Sequence, residues 1–206
     1  QYRLKSADGQ WKWILDRGAV IAYKGNKPTL IAGFTIDISN QKAVELELKT
    51  KSYIDPVTGL YNRAYFEKQL RKLDQESNLP LSVIIGDLNG LKWTNDVYGH
   101  QIGDNLITEM AEVLRSTCRK TDVITRWGGD EFIILMPNTT HKEAQVVCNR
   151  IRENCLDAYE GGPVPLSIAL GTATKTTMSD DLRDILRIAD KRMYDQKRGD
   201  KLARLI

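Results

Sequence analysis

Two kinds of residue in this sequence could do chemistry together: carboxylates at the ends of apolar runs, and glycines placed beside them. Asp87 closes the run Leu81-Ser82-Val83-Ile84-Ile85-Gly86. A carboxylate at a strand tip suits a hard cation, because Mg²⁺ prefers oxygen and takes one or two protein carboxylates plus phosphate oxygens and water. An aspartate there could equally cap the turn that follows. Further on, Gly128-Gly129 separates two short apolar segments and is followed by Asp130-Glu131. The glycines permit a tight turn and let a phosphate approach a backbone with no Cβ in the way. Successive strand side chains face opposite sides, so Asp130 and Glu131 reach one metal only if the turn distorts the pleat. Taken alone, those four residues read more simply as a solvated hairpin turn.

The elements that must hold these acids follow from periodicity. Leu81 to Asp87 reads as a buried strand, and Val123–Arg126 with Phe132–Met136 reads as a hairpin about the glycines. Helical patterns cover Asn62–Glu76, Asp104–Arg119, Lys142–Ala158 and Asp181–Arg198, with a further strand over Leu166–Ala173. Strands, helices and one hairpin in this order imply a central sheet covered by helices. Before residue 40 the pattern has a period of two. Trp11, Trp13, Leu15, Ile21 and Tyr23, then Leu30, Ala32, Phe34, Ile36 and Ile38, describe two strands turned at Gly25-Asn26-Lys27-Pro28. Tyr2 to Lys5 adds a possible third. Such a sheet has little core of its own. Asn40 to Tyr53 reads as a connector helix, ended by Asp55-Pro56 and suited to pairing with a copy of itself.

Composition excludes several classes. With 41% hydrophobic and 28% charged residues the 206-residue chain is an ordinary globular sequence. No apolar run approaches the roughly 20 residues that span a bilayer, and no signal peptide is visible, so no membrane contact by this stretch is expected. A net charge of +3 is too small to argue for a nucleic-acid partner. Cys118, Cys148 and Cys155 lack metal-ligand spacing and read as buried thiols, which suits a reducing cytoplasm. The chain begins with Gln rather than Met, which reads as a piece of a longer protein whose other parts could carry a membrane anchor.

The string Arg126-Trp127-Gly128-Gly129-Asp130-Glu131-Phe132 matches the motif that names the GGDEF family of diguanylate cyclases. Asp55-Pro56-Val57-Thr58-Gly59-Leu60-Tyr61-Asn62-Arg63 resembles that family's opening motif. Asp87-Leu88-Asn89-Gly90-Leu91-Lys92, then Asn95-Asp96, Gly99-His100 and Gly103-Asp104, resembles its nucleotide loop and following helix. The resemblance covers about residues 50–201. Residues 1–38 resemble the last strands of a PAS sensor domain through Asp8-Gly9, Trp11-Lys12-Trp13-Ile14, Gly18, Gly33 and Asp37-Ile38-Ser39. The expected division is a PAS-like remnant over 1–39, a signalling helix over 40–54 and a GGDEF domain over 55–206.

The resemblance implies an α/β (α+β) fold with a mixed sheet of about five strands under helices, like nucleotidyl cyclases and polymerase palms. It implies Mg²⁺, with Mn²⁺ as a substitute, held by Asp87, Asp130, Glu131 and the Leu88 carbonyl. One of Asp130 and Glu131 would activate the attacking 3′-hydroxyl. It implies GTP contacts from Gly128, Gly129, Lys92, Lys197 and Lys201, with Asn95 and Asp104 reading guanine. An amide and a carboxylate are suited to guanine's edge, the carboxylate accepting from N1–H and the amino group. Two GTP molecules would join as cyclic di-GMP in a homodimer, each domain presenting one. Arg119-Lys120-Thr121-Asp122 matches the family's RxxD site for inhibition by cyclic di-GMP, with Arg150 as a further contact. A non-catalytic receptor for cyclic di-GMP is the alternative, which leaves the acid pair without a purpose. Three departures stand out. Asn89-Gly90-Leu91 replaces the more usual Asp-His-Phe, Gly199 sits one place early, and Lys201 stands where arginine is usual. Asp104 favours GTP on both sides of the reaction.

Overall fold

The computed structural model describes residues 1–51, 53–158 and 164–203, the side chains of 46–51 and 200–203 lying outside the description. The chain forms two compact units, Gln1–Ser52 and Tyr53–Ile206. In the first, strands β1 (Tyr2–Lys5), β2 (Trp11–Lys24) and β3 (Lys27–Asp37) make an antiparallel sheet in the order β1-β2-β3. Helix α1 (Ser39–Lys51) follows, tied to β2 where the Trp13 N–H donates to Ser39 Oγ at 2.9 Å. Among its described residues Ile14 and Ile38 are the buried hydrophobics, while Trp11, Phe34 and Ile36 are exposed.

The second unit is a five-stranded mixed sheet in the order β4-β6-β7-β5-β8, crossed by helices on both faces. Its elements are β4 (Tyr61–Asn62), α2 (Arg63–Leu73), β5 (Leu81–Leu88), α3 (Leu91–Tyr98), α4 (His100–Thr117), β6 (Val123–Gly128), β7 (Glu131–Met136), α5 (His141–Asp157), β8 (Ile168–Lys175) and α6 (Leu182–Ala203). Every residue of β5 is buried, as expected for an unbroken apolar run covered on both sides. The pleat divides the core in two. Ile84, Leu88, Phe132, Ile134 and Met136 pack with residues of α4 and α5. Val83, Ile85, Ile133 and Leu135 pack instead with Phe66 of α2 and Ile185, Ala189 and Met193 of α6.

The expected fold class is therefore observed, with local differences. Helix α2 ends at Leu73 rather than Glu76, and its cap is Asn62, whose side chain accepts from the Tyr65 N–H at 3.3 Å. Helix α4 starts at His100, four residues before the apolar repeat becomes visible, because Gly99 at φ 84° makes the break. Strand β8 lies two residues later than the apolar pattern suggests. The short elements β4 and α3 had no counterpart in the periodicity. Helix α6 docks closely on β8. A Cβ on Gly171 would lie 2.1 Å from the Ala189 carbonyl oxygen and 2.2 Å from the Met193 nitrogen.

The loop that opens this unit is fastened by charge. Asp55 accepts from the Thr58 N–H (2.9 Å) and hydroxyl (2.7 Å) and pairs with Arg126 at 3.1 Å. Both side chains of the pair are largely buried, at 17% and 11% exposure. Burial pushes the Asp55 carboxyl up, but the hydrogen bonds from Thr58 and the Arg126 guanidinium outweigh it and hold the group below the usual range. A depressed carboxyl stabilises the fold above its unfolded pKa and loses that contribution as pH falls through its folded value. Asp55→Asn should therefore cost about 3 kcal/mol near pH 7, the scale for leaving one buried charge unpaired. Urea denaturation should show the deficit shrinking as pH drops below the carboxylate range. Gly171→Ala should also destabilise, by about 1–3 kcal/mol, because α6 backbone must move off the strand.

Candidate active site

Pleat and register decide which acids meet. Asp87 is an odd-numbered residue of β5, so it shares a face with Val83 and Ile85, and Glu131 shares that face with Ile133 and Leu135. The antiparallel register sets Asp87 directly opposite Glu131. Asp130 is outside the strand, in the turn between β6 and β7. Its carbonyl accepts from the Leu88 N–H at 2.8 Å. The β6 side of the hairpin carries a register shift between Arg126 and Gly128.

The turn itself is made by Gly129 at φ 53°, a left-handed conformation that favours glycine. Arg126 holds it, donating from Nε and Nη2 to the Gly129 carbonyl at 3.1 and 2.9 Å while Nη1 reaches Asp55. Trp127, the next residue, meets Phe66 edge-on at 5.2 Å, and the Arg63 guanidinium lies 4.4 Å from its ring centre. Gly128 and Gly129 are exposed.

Helix α6 supplies the other wall. Ala189 and Met193 are buried against the sheet, and Lys197 continues that stripe at the next i+4 position. Its Nζ donates to Asp87 Oδ1. Asp190 and Tyr194 lie on the adjacent stripe, and both line a cavity of about 300 Å³ together with Asp87, Glu131 and Lys197. A second cavity of about 270 Å³ joins Glu131 and Asp190 to Phe66, Trp127 and Leu186. Desolvation, then the charges of Asp130, Asp87 and Asp190, push the Glu131 carboxyl up against the opposing pull of Lys197. Asp190 and Tyr194 were missed in the sequence. Their signal was helical spacing counted back from Lys197. Lys201 lies on α6, but its side chain is outside the described residues.

Asn95 and Asp104 form a second group, reached from Leu88 through Asn89 and Gly90. The Asn89 N–H donates to Ser167 O at 2.9 Å, and Gly90 at φ 79° turns the chain into α3. Lys92 is exposed on the first turn of α3. Asn95 packs across Gly103, where a Cβ would lie 1.9 Å from its Oδ1. Asp104, the next residue, is exposed beside it. The contact requires glycine at 103.

Arg119, Asp122 and Arg150 meet elsewhere, at the far end of β6, on the order of 20 Å along that strand from Glu131. Asp122 Oδ2 accepts from the Arg119 N–H at 2.8 Å, and the Arg150 guanidinium donates to the Thr117 carbonyl. Burial pushes the Asp122 carboxyl up, opposed by its hydrogen bond with Arg119 and by the charges of Arg119 and Arg150. Asp122 Oδ1 is buried without a hydrogen bond in the structure. Burial also pushes the thiol of Cys118 up to about 12, and those of Cys148 and Cys155 to about 11, so none is a thiolate nucleophile at neutral pH.

The model of the family described as "Diguanylate cyclase, GGDEF domain" matches residues 52–201. The chain is 29% identical to diguanylate cyclase DgcM of Escherichia coli over 197 residues, which covers 94% of this chain and 47% of that protein. It thus spans about half the length of this curated relative. Its fold matches the crystal structure of diguanylate cyclase SiaD in complex with its activator SiaC from Pseudomonas aeruginosa. There the TM-score is 0.68 at 28% identity, over 78% of this chain and 64% of that one. The coiled coil and GGDEF domain of DgcB from Caulobacter crescentus, solved with c-di-GMP, shares the fold with a TM-score of 0.70 at 20% identity, over 79% of this chain and 89% of that one. With the acid pair, the glycine turn and the family model all falling on the same residues, the chain belongs to the GGDEF family of diguanylate cyclase domains.

Proposed function

We propose that residues 55–206 form an active diguanylate cyclase domain that condenses two GTP into cyclic di-GMP and two pyrophosphates. The observation that carries this reading is the pairing of Asp87 with Glu131 across the sheet, beside Lys197 and behind the Gly128-Gly129 turn. The donor set fits a hard divalent cation, since it consists of oxygens and its carboxylates repel one another. Among the described residues no three acidic, histidine or cysteine side chains are placed to hold a metal ion. Asp87 and Glu131 with the Leu88 carbonyl would therefore hold Mg²⁺ or Mn²⁺ together with substrate phosphates, and Asp130 would join them by turning its side chain in from the hairpin turn. Such an ion lowers the pKa of a hydroxyl and offsets phosphate charge.

The protein's own groups do the rest. Gly128 and Gly129 leave backbone open to the phosphates, and Lys92, Lys197 and Lys201 are the triphosphate cations. Asn95 and Asp104 select guanine. Glu131, with its raised carboxyl, or Asp130 takes the proton of the attacking 3′-hydroxyl. One domain holds one GTP, so the reaction needs a second copy. The 40–54 connector, whose helix α1 ends at Lys51 rather than reaching residue 54, would set the approach of the two halves, and the 1–39 strands would belong to a PAS-like sensor. Among the described residues no helix is long and apolar enough to cross a membrane. We assign the reaction to the cytoplasm, where GTP is available.

The buried, unpaired Asp122 oxygen beside Arg119 and Arg150 supports a product-inhibition site. Guanine's N–H groups would satisfy the carboxylate and the guanidiniums would meet the phosphates.

Incubation with GTP and Mg²⁺ should give cyclic di-GMP, with the rate per protomer rising as protein concentration rises. Glu131→Ala should lower turnover by about 100-fold or more, the scale of lost proton transfer or metal support. Absence of product at high protein concentration, with cyclic di-GMP still bound, would leave the receptor reading in place. Arg119→Ala should shift inhibition by added cyclic di-GMP to higher concentration without lowering the uninhibited rate. An unchanged inhibition curve would remove the proposed site.

A further inference from the structure

A cavity of about 610 Å³ runs along the outer edge of β8, between α5 and α6. None of Asp87, Glu131, Asn95, Asp104, Arg119 or Asp122 lines it. Among the described residues its charged and titratable walls are Arg152, Arg192, His141 and the Cys148 thiol, and none is a carboxylate. Because β8 is an edge strand, its outward carbonyls need partners, and the two arginines provide them. Arg192 Nη1 donates to Thr172 O at 2.6 Å, and Arg152 Nη2 to Leu170 O at 3.4 Å and to Gln196 Oε1 at 2.8 Å. The two guanidiniums are thus seated on carbonyls two residues apart, about 7 Å by the strand rise.

Edge capping does not use all of their donors. Arg152 Nε is buried with no hydrogen bond, and so is Nδ1 of His141. The other ring nitrogen, Nε2, lies 3.5 Å from Arg192 Nη1. A guanidinium only donates, so Nε2 accepts and the neutral ring carries its proton on Nδ1. Arg152 and Arg192 thus bring two fixed positive charges to the walls of one cavity, beside the His141 ring. An acceptor-rich anion in the cavity would offset those charges, and guanidinium forks match phosphate oxygens best. The volume falls within the range of small-molecule sites and exceeds what one phosphate fills. The Gln145 amide also lines the wall, offering a group for a base or sugar, while Asn149 Oδ1 accepts from Arg152 Nη1 at 2.9 Å.

We propose that this cavity is a second nucleotide site, in which phosphate groups sit on Arg152, Arg192 and His141, separate from the acid cluster on the other side of α6. The chain has two histidines, and each reports one site: His141 this cavity, and His100, at the start of α4, the Asn95–Asp104 group. Ring resonances of the whole chain would be followed by NMR in EDTA during titration with ADP, GDP and pyrophosphate, with His141→Gln giving the assignment. The proposal expects ADP and GDP each to shift the His141 resonance saturably. Arg192→Ala should weaken that response by about tenfold or more, the scale of one charge-assisted pair, while leaving any His100 response to GDP unchanged. Arg192→Lys, which keeps the charge and loses the fork, should fall between them. Tighter binding of the nucleotides than of pyrophosphate would identify a nucleotide as the ligand. Equal binding of pyrophosphate would overturn the nucleotide assignment in favour of free polyphosphate. A His141 resonance unmoved by all three, or saturation unchanged in Arg192→Ala, would overturn the site.

Discussion

Arg126 donates in two directions, to Asp55 in the loop that opens the second unit and to the Gly129 carbonyl in the hairpin turn. No apolar contact could do the same, because the two things it joins are a carboxylate and a backbone oxygen at a glycine turn. The hairpin has no large side chain at its tip to fix it, since Gly128 and Gly129 form the tip. Its position therefore depends on charge-assisted hydrogen bonds from one side chain. The ion pair is largely buried, which makes it costly to break and sensitive to pH. Trp127, held between Phe66 and Arg63, adds an apolar brace on the following residue.

With the turn fixed, strand register does the remaining positioning. Asp87 and Glu131 meet because they are opposite one another in an antiparallel pair and both face α6. A one-residue slip would send one of them to the α4–α5 side. Helix α6 completes the site because Gly171 lets it lie against β8 backbone to backbone. The stripe of Ala189 and Met193 then delivers Lys197 to Asp87. Burial raises the Glu131 carboxyl, the charges of Asp130, Asp87 and Asp190 add to it, and Lys197 opposes them. That imbalance is what a divalent cation would relieve.

Much of this was legible in the sequence where local pattern and burial agree. Leu81–Asp87 reads as a strand because every residue is buried, and the Gly128-Gly129 hairpin because its flanks are apolar. Helix α3 was not legible. Its eight residues bury only Leu91 and Thr94, too few for a periodic signal, and two glycines bracket it. The start of α4 was hidden for a similar reason: His100 and Gln101 are exposed and carry no apolar signal. The choice between the two faces for Asp87 and Glu131 needs register, which no single strand encodes. Arg126 was visible as part of a motif, but its link to Asp55, 71 residues away in sequence, belongs to the tertiary structure. Asp190 is one of several acids on α6 until the helix is docked.

The account rests on Asp87 and Glu131 acting as one cation-dependent seat for GTP. Calorimetry with a non-hydrolysable GTP analogue, with and without Mg²⁺, tests that seat without requiring turnover or a second copy. The account predicts one analogue per chain in the presence of Mg²⁺, with affinity lost on removing the cation or in Asp87→Asn, and retained in Arg119→Ala. Binding of equal strength without the cation, and undiminished in Asp87→Asn, would contradict it.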